Sequence, residues 1–232
     1  MADEHVPPQN TNVDVVILGG GIAGISTAVH LLSQGYTVTL VESRQFLGGR
    51  AFSFSDGQTG IAVDNGQHVI VGACTHFIEL LHRLGIWNRW LLQPHMRIRV
   101  LDRNMKKGSL STSFLPSPFH LLPSFLAYAH LSLGDKVRIV WALICAKSTD
   151  RHQPHLEDTT FHQWLKEHGQ SDRAIHNFWT LVMLPILNDR VETVSATMGL
   201  MVIQEGMLQD YHSADMGYAT RDLNAALGEP AK

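Results

Sequence analysis

The chain has 232 residues, 44% of them hydrophobic and 17% charged, with a formal net charge of −3. That is an ordinary soluble composition, enough for one large or two small domains with a core, and the absence of any Lys/Arg-rich stretch excludes a nucleic-acid partner. The two cysteines, Cys74 and Cys145, stand far apart, which argues against a disulfide framework or a CxxC site and fits a reducing cytosol.

Met1–Asn12 is polar, contains Pro7-Pro8 and lacks the basic start and apolar core of a secretory signal, so it reads as a short disordered lead-in. Val15–Leu18 then predicts a strand, and Gly19-Gly20-Gly21-Ile22-Ala23-Gly24 predicts the turn into a helix over Ile22–Ser33. Ile22, Ile25, Val29 and Leu32 share one face of that helix, and Gly35 ends it. A second apolar run, Thr37–Val41, closes on Glu42. Strand, glycine turn, helix, strand and acid in this order form a dinucleotide-binding fingerprint. Gly19 permits the tight turn, Gly21 lets backbone approach a pyrophosphate, and Gly24 lets the helix pack closely. The helix N-terminus directs N–H groups and its positive dipole end at phosphate. Glu42 is placed to accept hydrogen bonds from both ribose hydroxyls of an adenosine, which argues against a 2′-phosphate.

Next come Gly48-Gly49-Arg50-Ala51. The two glycines bring backbone N–H groups towards a cofactor, and Arg50 offsets pyrophosphate charge. Phe52–Phe54 and Ile61–Val63 flank Asp56-Gly57 and predict two short strands joined by a turn. They lead into Val63-Asp64-Asn65-Gly66-Gln67-His68.

An acid followed by a short loop and Gly-Gly-Arg resembles the FAD-dependent amine oxidases and carotenoid desaturases rather than nicotinamide dehydrogenases. With Thr59-Gly60 and Asp64-Asn65-Gly66-Gln67-His68, the chain is similar to one branch, the squalene-associated FAD-dependent desaturases, or hydroxysqualene dehydroxylases. Leu115–Pro123, His130–Leu133, Thr160–Leu165 and the stretch from Phe178-Trp179 to Leu187-Asn188 continue the similarity, which runs from about Val13 to Leu227. Ala219 is a departure, because the family tends to have proline there.

Beyond the nucleotide motifs the chain predicts helices. Cys74–Leu84 has Phe77, Leu80, Leu81 and Leu84 at helical spacing and stops at Gly85; Asp135–Lys147 is another helix. Thr160 and Gln163 form a capping-box pattern for Phe161–His168, closed by Gly169, and Ser171 caps a following helix that Pro185 kinks or ends. Ser148–Asp158 reads as a polar loop. The predicted fold class is α/β: a Rossmann-like FAD-binding domain with an incomplete βαβ start, joined to a mainly helical substrate domain. The expected parts are residues 11–72, the FAD-binding segment; 73–210, the helical substrate domain; and 211–232, a truncated return to the FAD domain. A βαβ start without its later strands leaves apolar sheet edges exposed.

Trp164, Phe178, Trp179, Leu181, Met183 and Leu184 suit either an apolar substrate tunnel or a plain core. Fourteen histidines do not make a metal site: His76 and His82 are misplaced for one helical face, and Pro154 interrupts the pair His152 and His155. No stretch spans a bilayer, since prolines and histidines break Phe114–Leu133, but that stretch with Lys136 and Arg138 leaves peripheral membrane contact open. Cytoplasmic placement follows, with the inner membrane face as the alternative.

The resemblance implies FAD as cofactor, a lipophilic polyprenoid substrate, and dehydroxylation of hydroxysqualene to squalene for hopanoid or triterpene synthesis. A carotenoid desaturase or an amine oxidase is the neighbouring alternative. It also implies that His68 lies near the flavin ring, so His68 and Asp64 are candidates to protonate a leaving oxygen, while a strand-end histidine that orients its loop remains open. The family continues for roughly as long again, so a non-catalytic piece that binds the ADP portion of FAD is the reading from a different class.

Overall fold

A computed structural model describes residues 13–117 and 119–232. The Met1–Asn12 lead-in and Pro118 of the proline-rich stretch lie outside the described residues. The chain divides into two compact units: one takes residues up to Val69, Thr75–Leu91 and Gly217–Lys232, the other Ile70–Cys74 and Leu92–Met216. These limits differ from boundaries at 72/73 and 210/211, because Thr75–Leu91 belongs with the nucleotide motifs. Helix α2 (Thr75–Arg83) packs on α1 (Ile22–Ser33), and Leu80, Leu81 and Ile86 are buried.

In the first unit, β1 (Val15–Leu18) and β2 (Val38–Val41) pair in parallel, Val15 opposite Val38 through Leu18 opposite Val41. The β-branched run suits the strand, and its period of two sends Val15 and Ile17 one way, Val16 and Leu18 the other. The first pair is half-buried; Leu18 is 81% exposed. Helix α1 has the expected limits, but of its expected apolar face only Ile25 is buried, and Ile22 and Leu32 stay exposed. Two strands offer too narrow a surface to cover the whole stripe.

β3 (Ser53–Ser55) and β4 (Ala62–Asp64) form the expected antiparallel pair. The Asp56 carboxylate closes their loop by accepting from the Thr59 N–H and hydroxyl. Asn224 returns to this pair with a reciprocal amide bond to the Ser53 backbone, and Leu223, Ala226 and Leu227 are buried. β5 (Val69–Val71), β6 (Trp90–Leu92) and β9 (Met216–Ala219) are short strands, so Ala219 sits in a strand.

The second unit is not wholly helical. β7 (Arg97–Leu101) and β8 (Lys107–Ser111) make an antiparallel hairpin, whose alternating Arg-Ile-Arg-Val was not read as a strand. The helices are α3 (Leu122–Ala127), α4 (Leu133–Ser148), α5 (His155–Asp158), α6 (Phe161–Glu167), α7 (Asp172–Ala174), α8 (Thr180–Leu187) and α9 (Ala196–Met201). Wider π-type turns over Ile175–Trp179 and Val202–Leu208 extend α7 into α8 and prolong α9. The predicted 148–158 loop therefore contains one helical turn. Pro185 lies inside α8, which closes on Asn188 at φ +52°. Thr160 and Gln163 form the predicted capping box, and Ser171 caps α7.

The core of this unit joins Ile139, Ala142, Phe161, Trp164, Trp179, Met183 and Leu200. A Cβ at Gly199 would fall 2.3 Å from the Phe161 ring, so α9 and α6 approach as closely as glycine allows. Four of the six candidate tunnel residues, Trp164, Phe178, Trp179 and Met183, are closed into this core, whereas Leu184 is exposed. Among the described residues no helix is long and apolar enough to cross a membrane.

Asp135, buried at 2% exposure, ties the start of α4 to α7. It accepts from the Ser132 N–H and hydroxyl, the Ser171 hydroxyl at 2.6 Å and the Arg173 guanidinium at 2.6 Å. Burial pushes its carboxyl up, but the bonds from Ser171, Ser132 and Arg173 outweigh that and hold it well below the carboxylate range. His120 is fully buried, and among the described residues neither ring nitrogen has a hydrogen-bond partner. Burial pushes its pKa down, against the pull of Asp210 and Asp215.

Both groups make acid destabilising. Asp135 has a lowered folded pKa, so its contribution is present above about pH 4 and lost below it; neutral His120 stabilises above about pH 6.5 and loses ground as pH falls from there. Urea unfolding across pH should therefore show His120→Gln flattening the slope just below about pH 6.5 and Asp135→Asn flattening the slope below about pH 4. Asp135→Ala should cost about 3 kcal/mol at neutral pH, by loss of a buried anion that four donor groups depend on.

Candidate functional site

The site is built on the turn between β1 and α1. Gly19 has φ +103°, and its N–H donates to the Val41 carbonyl at 2.7 Å, so the turn is locked to the end of β2. A Cβ at Gly24 would lie 1.9 Å from the Gly19 carbonyl oxygen and 3.5 Å from the Ile17 side chain. Gly24 thus sets the closeness of helix to turn, with the turn's own backbone as the tighter contact. Near Gly21 a Cβ would meet nothing closer than 4.0 Å, which leaves that backbone open to an approaching ligand.

The first helical hydrogen bond of α1 runs from the Ile25 N–H to the Gly21 carbonyl. No side chain caps the helix and no acid stands in its first turn, so the N–H groups of Ile22, Ala23 and Gly24 precede the intrahelical ladder. Gly21, Ile22 and Ala23 line a cleft of about 860 Å³ with Glu42, Ser43, Arg44, Gly48, Gly49, Arg50, Ala51, Asn65 and His68. Its size suits a small-molecule or cofactor site, and an uncapped helix N-terminus suits an anion.

Glu42 already carries three donors: the Gly20 N–H at 2.7 Å on Oε2, and the Arg44 N–H at 2.9 Å and the Ser43 hydroxyl at 3.1 Å on Oε1. Those bonds, Arg44 first and then Gly20 and Ser43, hold its pKa below the ordinary value, so it is a fixed anion. One lone pair remains on Oε2, and turning the Ser43 hydroxyl releases another on Oε1. Both ribose hydroxyls are therefore accommodated only if Ser43 yields.

Both glycines line the cleft, but Gly48 acts differently from the expectation. The Gly48 N–H donates at 2.8 Å to the Gly20 carbonyl, so it braces the loop against the glycine turn and does not face a ligand. Gly48 and Gly49 hold φ of +109° and +64°, and a Cβ on Gly49 would sit 3.0 Å from the Gly21 Cα. Steric clearance is what these glycines supply. Arg50 lines the cleft, and Asn65 holds that loop through its amide to the Arg50 carbonyl at 3.1 Å.

His68 also lines the cleft, its Nδ1 3.0 Å from the Gly66 carbonyl. A carbonyl only accepts, so Nδ1 carries the proton and Nε2 is the free nitrogen of the neutral ring. Asp64 is not part of the lining. It accepts the Ser53 hydroxyl at 2.5 Å and the Leu223 N–H at 3.2 Å, a tie between β4 and the last residues of the chain. Sequence reasoning missed Arg44, whose guanidinium lies 5.7 Å and 5.9 Å from the stacked Phe46 and Phe52 rings. Its signal was a cation two residues past Glu42, beside two aromatics.

An open glycine turn, a helix N-terminus, a fixed carboxylate and two cleft arginines are the features of a dinucleotide-binding site. The family described as flavin containing amine oxidoreductase matches residues 22–228, and the chain belongs to it. FAD is the cofactor that this membership supports. Zeta-carotene desaturase of Zea mays is 33% identical over 175 residues, 71% of this chain and 30% of that protein. Zeta-carotene desaturase of Synechocystis is 28% identical over 200 residues, 82% and 40% of the two chains; 15-cis-phytoene desaturase of Narcissus pseudonarcissus is 27% identical over 218 residues, 91% and 38%. An oxidoreductase from Methanosarcina mazei aligns with TM-score 0.59 at 19% identity, covering 93% of this chain and 48% of that one. Cyclohexylamine oxidase from Brevibacterium oxydans aligns with TM-score 0.55 at 23% identity, covering 92% and 48%. These structures share the fold. The chain spans 30% to 40% of the length of the curated relatives named here.

Gly24→Ala should force α1 off the turn, costing about 2 kcal/mol of stability and lowering FAD affinity in parallel. Glu42→Gln sets an amide NH2 against one of the backbone donors that the carboxylate holds, so it should lower the thermal midpoint by about 2–4 °C and weaken FAD about tenfold, the scale of one charged hydrogen bond. Flavin absorbance titrations alongside thermal melts separate the two effects.

Proposed function

We propose that the complete protein is an FAD-dependent oxidoreductase of a long polyprenoid hydrocarbon, in which the residues described here hold the ADP portion of the cofactor. The observation that carries this is the uncapped α1 N-terminus opening, across Gly21, onto a cleft walled by Glu42, Arg44 and Arg50. The N–H groups of α1 and Arg50 bind the pyrophosphate, and Glu42 takes the adenosine ribose. When bound, FAD supplies hydride exchange at an allylic carbon. The rest of the work belongs to the protein: holding an apolar chain, excluding water and managing one proton.

Two substrates in this class have separate support. The carotene and phytoene desaturases among the relatives support desaturation, with the substrate oxidised. The Asp64–His68 motif and the Leu115–Pro123 stretch support hydroxysqualene dehydroxylation, with the substrate reduced as hydroxyl leaves. The second reaction needs an acid. His68 meets that need as the imidazolium, giving the Nε2 proton while Nδ1 stays on Gly66. Desaturation makes no such demand. Asp64, occupied by Ser53 and Leu223, positions the loop that carries His68 in this reading.

Incubating the complete, FAD-loaded protein with zeta-carotene or phytoene and a quinone acceptor, and separately with hydroxysqualene after dithionite reduction, tests the proposal. Conversion of one lipid is the expected result: if it is hydroxysqualene, His68→Gln should depress turnover about a hundredfold, and if it is a carotene, the same variant should stay within a few-fold of the parent. Peroxide release from putrescine or cyclohexylamine, with no polyprenoid turnover, would replace this reading by an amine oxidase.

A further inference from the structure

The approach to the β7–β8 hairpin carries a second cleft, in the second unit and built from residues the cofactor cleft does not use. Gln93, Pro94, His95, Arg97 and Arg99 line about 510 Å³. The strand period of two puts Arg97 and Arg99 on one face of β7, about 7 Å apart along it. Both are exposed, and among the described residues neither guanidinium has an ion pair.

Their neighbours across the hairpin are hydroxyls. Arg97 stands opposite Ser111 and Arg99 opposite Ser109. The Ser111 N–H donates to the Ser124 Oγ at 2.9 Å, away from β7, so these are the non-hydrogen-bonded pairs of the ladder, in which side chains stand closest. An acid at either serine position would neutralise its arginine, whereas a serine leaves the charge free and adds a donor. The acids nearby in the chain and fold are taken up elsewhere. Asp102 accepts the N–H groups of Asn104 and Lys106 in the hairpin turn and lies 3.6 Å from His130. Asp215 is buried, holding the Met96 N–H at 2.9 Å and His212 at 2.7 Å.

The other polar residues of the lining add donors. The Tyr211 hydroxyl stands 3.3 Å from His95 Nδ1, and with that nitrogen accepting, Nε2 carries the ring proton and donates. Gln93 Oε1 is buried with no donor among the described residues, and the amide turned over offers its NH2 at the same place. A carboxylate has two oxygens, and one guanidinium fork occupies both. Two forks flanked by an imidazole and an amide call for a group richer in acceptors, with its charge spread over two centres.

We propose that this cleft binds the diphosphate group of a soluble organic diphosphate, one phosphoryl group to each arginine. This goes beyond the cofactor reading and does not rest on it.

Calorimetric titration of the complete protein with inorganic pyrophosphate, in saturating FAD so that the α1 N-terminus is occupied, tests it. The parent should bind pyrophosphate, and succinate about tenfold more weakly or worse. Arg97→Gln with Arg99→Gln, both at exposed positions, should lower the affinity about a hundredfold, a factor of about ten for each charge-assisted fork, with FAD affinity and thermal melt unchanged. Arg97→Lys with Arg99→Lys keeps the charge but loses the forks, and should lower it about tenfold. The proposal fails if the parent does not bind pyrophosphate, or if the double glutamine variant binds it as tightly as the parent. A lysine variant equal to the parent would leave only a general attraction of charge, and equal binding of succinate would leave no preference for phosphoryl groups; either result overturns it. Capture by phosphatidylglycerol vesicles without pyrophosphate binding would assign the arginines to a lipid headgroup and overturns it as well.

Discussion

The nucleotide half depends on one close approach of backbone to backbone. Helix α1 reaches the β1 turn only because Gly24 presents no side chain to the Gly19 carbonyl oxygen, where a Cβ would stand at 1.9 Å. Everything at the cleft takes its position from that contact. The turn fixes Gly20, whose N–H reaches Glu42 and whose carbonyl receives Gly48. Glu42 in turn organises the backbone of Arg44, and the Gly48 loop holds Arg50 at the rim. A chain of short bonds from one glycine contact thus brings the unclaimed N–H groups of the helix start and a fixed carboxylate to the same cleft. Local geometry of this kind requires no large core, which suits a unit whose two-stranded sheet buries little.

The helical unit is organised on the opposite principle, with a charge placed where water is absent. Asp135 loses hydration on burial, and three side chains and a backbone N–H from two helix starts return it. Such a group adds modestly to net stability but strongly to specificity, because a misdocked α7 leaves a bare carboxylate inside the protein. Around it, the aromatic stack of Phe161, Trp164, Phe178 and Trp179 supplies the apolar area. Trp179 satisfies its one donor through Gln170, so the core closes over the indole without stranding that polar atom.

What the sequence made legible were features whose cause lies within a few residues. The limits of α1, the Thr160–Gln163 capping box, the Ser171 cap and the role of Gly24 all follow from local sterics and caps, and the structure has each of them. What it hid depended on distant neighbours. Gly48 looked like a ligand contact because nothing in the sequence says that the Gly20 carbonyl will claim its N–H. Asp64 and His68, four residues apart, looked equivalent, yet Ser53 and Leu223 claim only Asp64. The β7–β8 hairpin escaped because two arginines on its outer face masked the alternation.

The two exposed apolar surfaces differ in what water costs them. On the first unit, Val16, Leu18 and Val41 stand exposed on strands whose outer edge is unpaired among the described residues. Such a surface is satisfied by protein, which brings N–H and C=O groups as well as apolar atoms, and the relatives named here, more than twice as long, have chain to supply it. The exposed face of α4 is different in kind: its backbone bonds are complete within the helix, so it asks only for apolar atoms, whereas a strand edge asks for N–H and C=O groups as well.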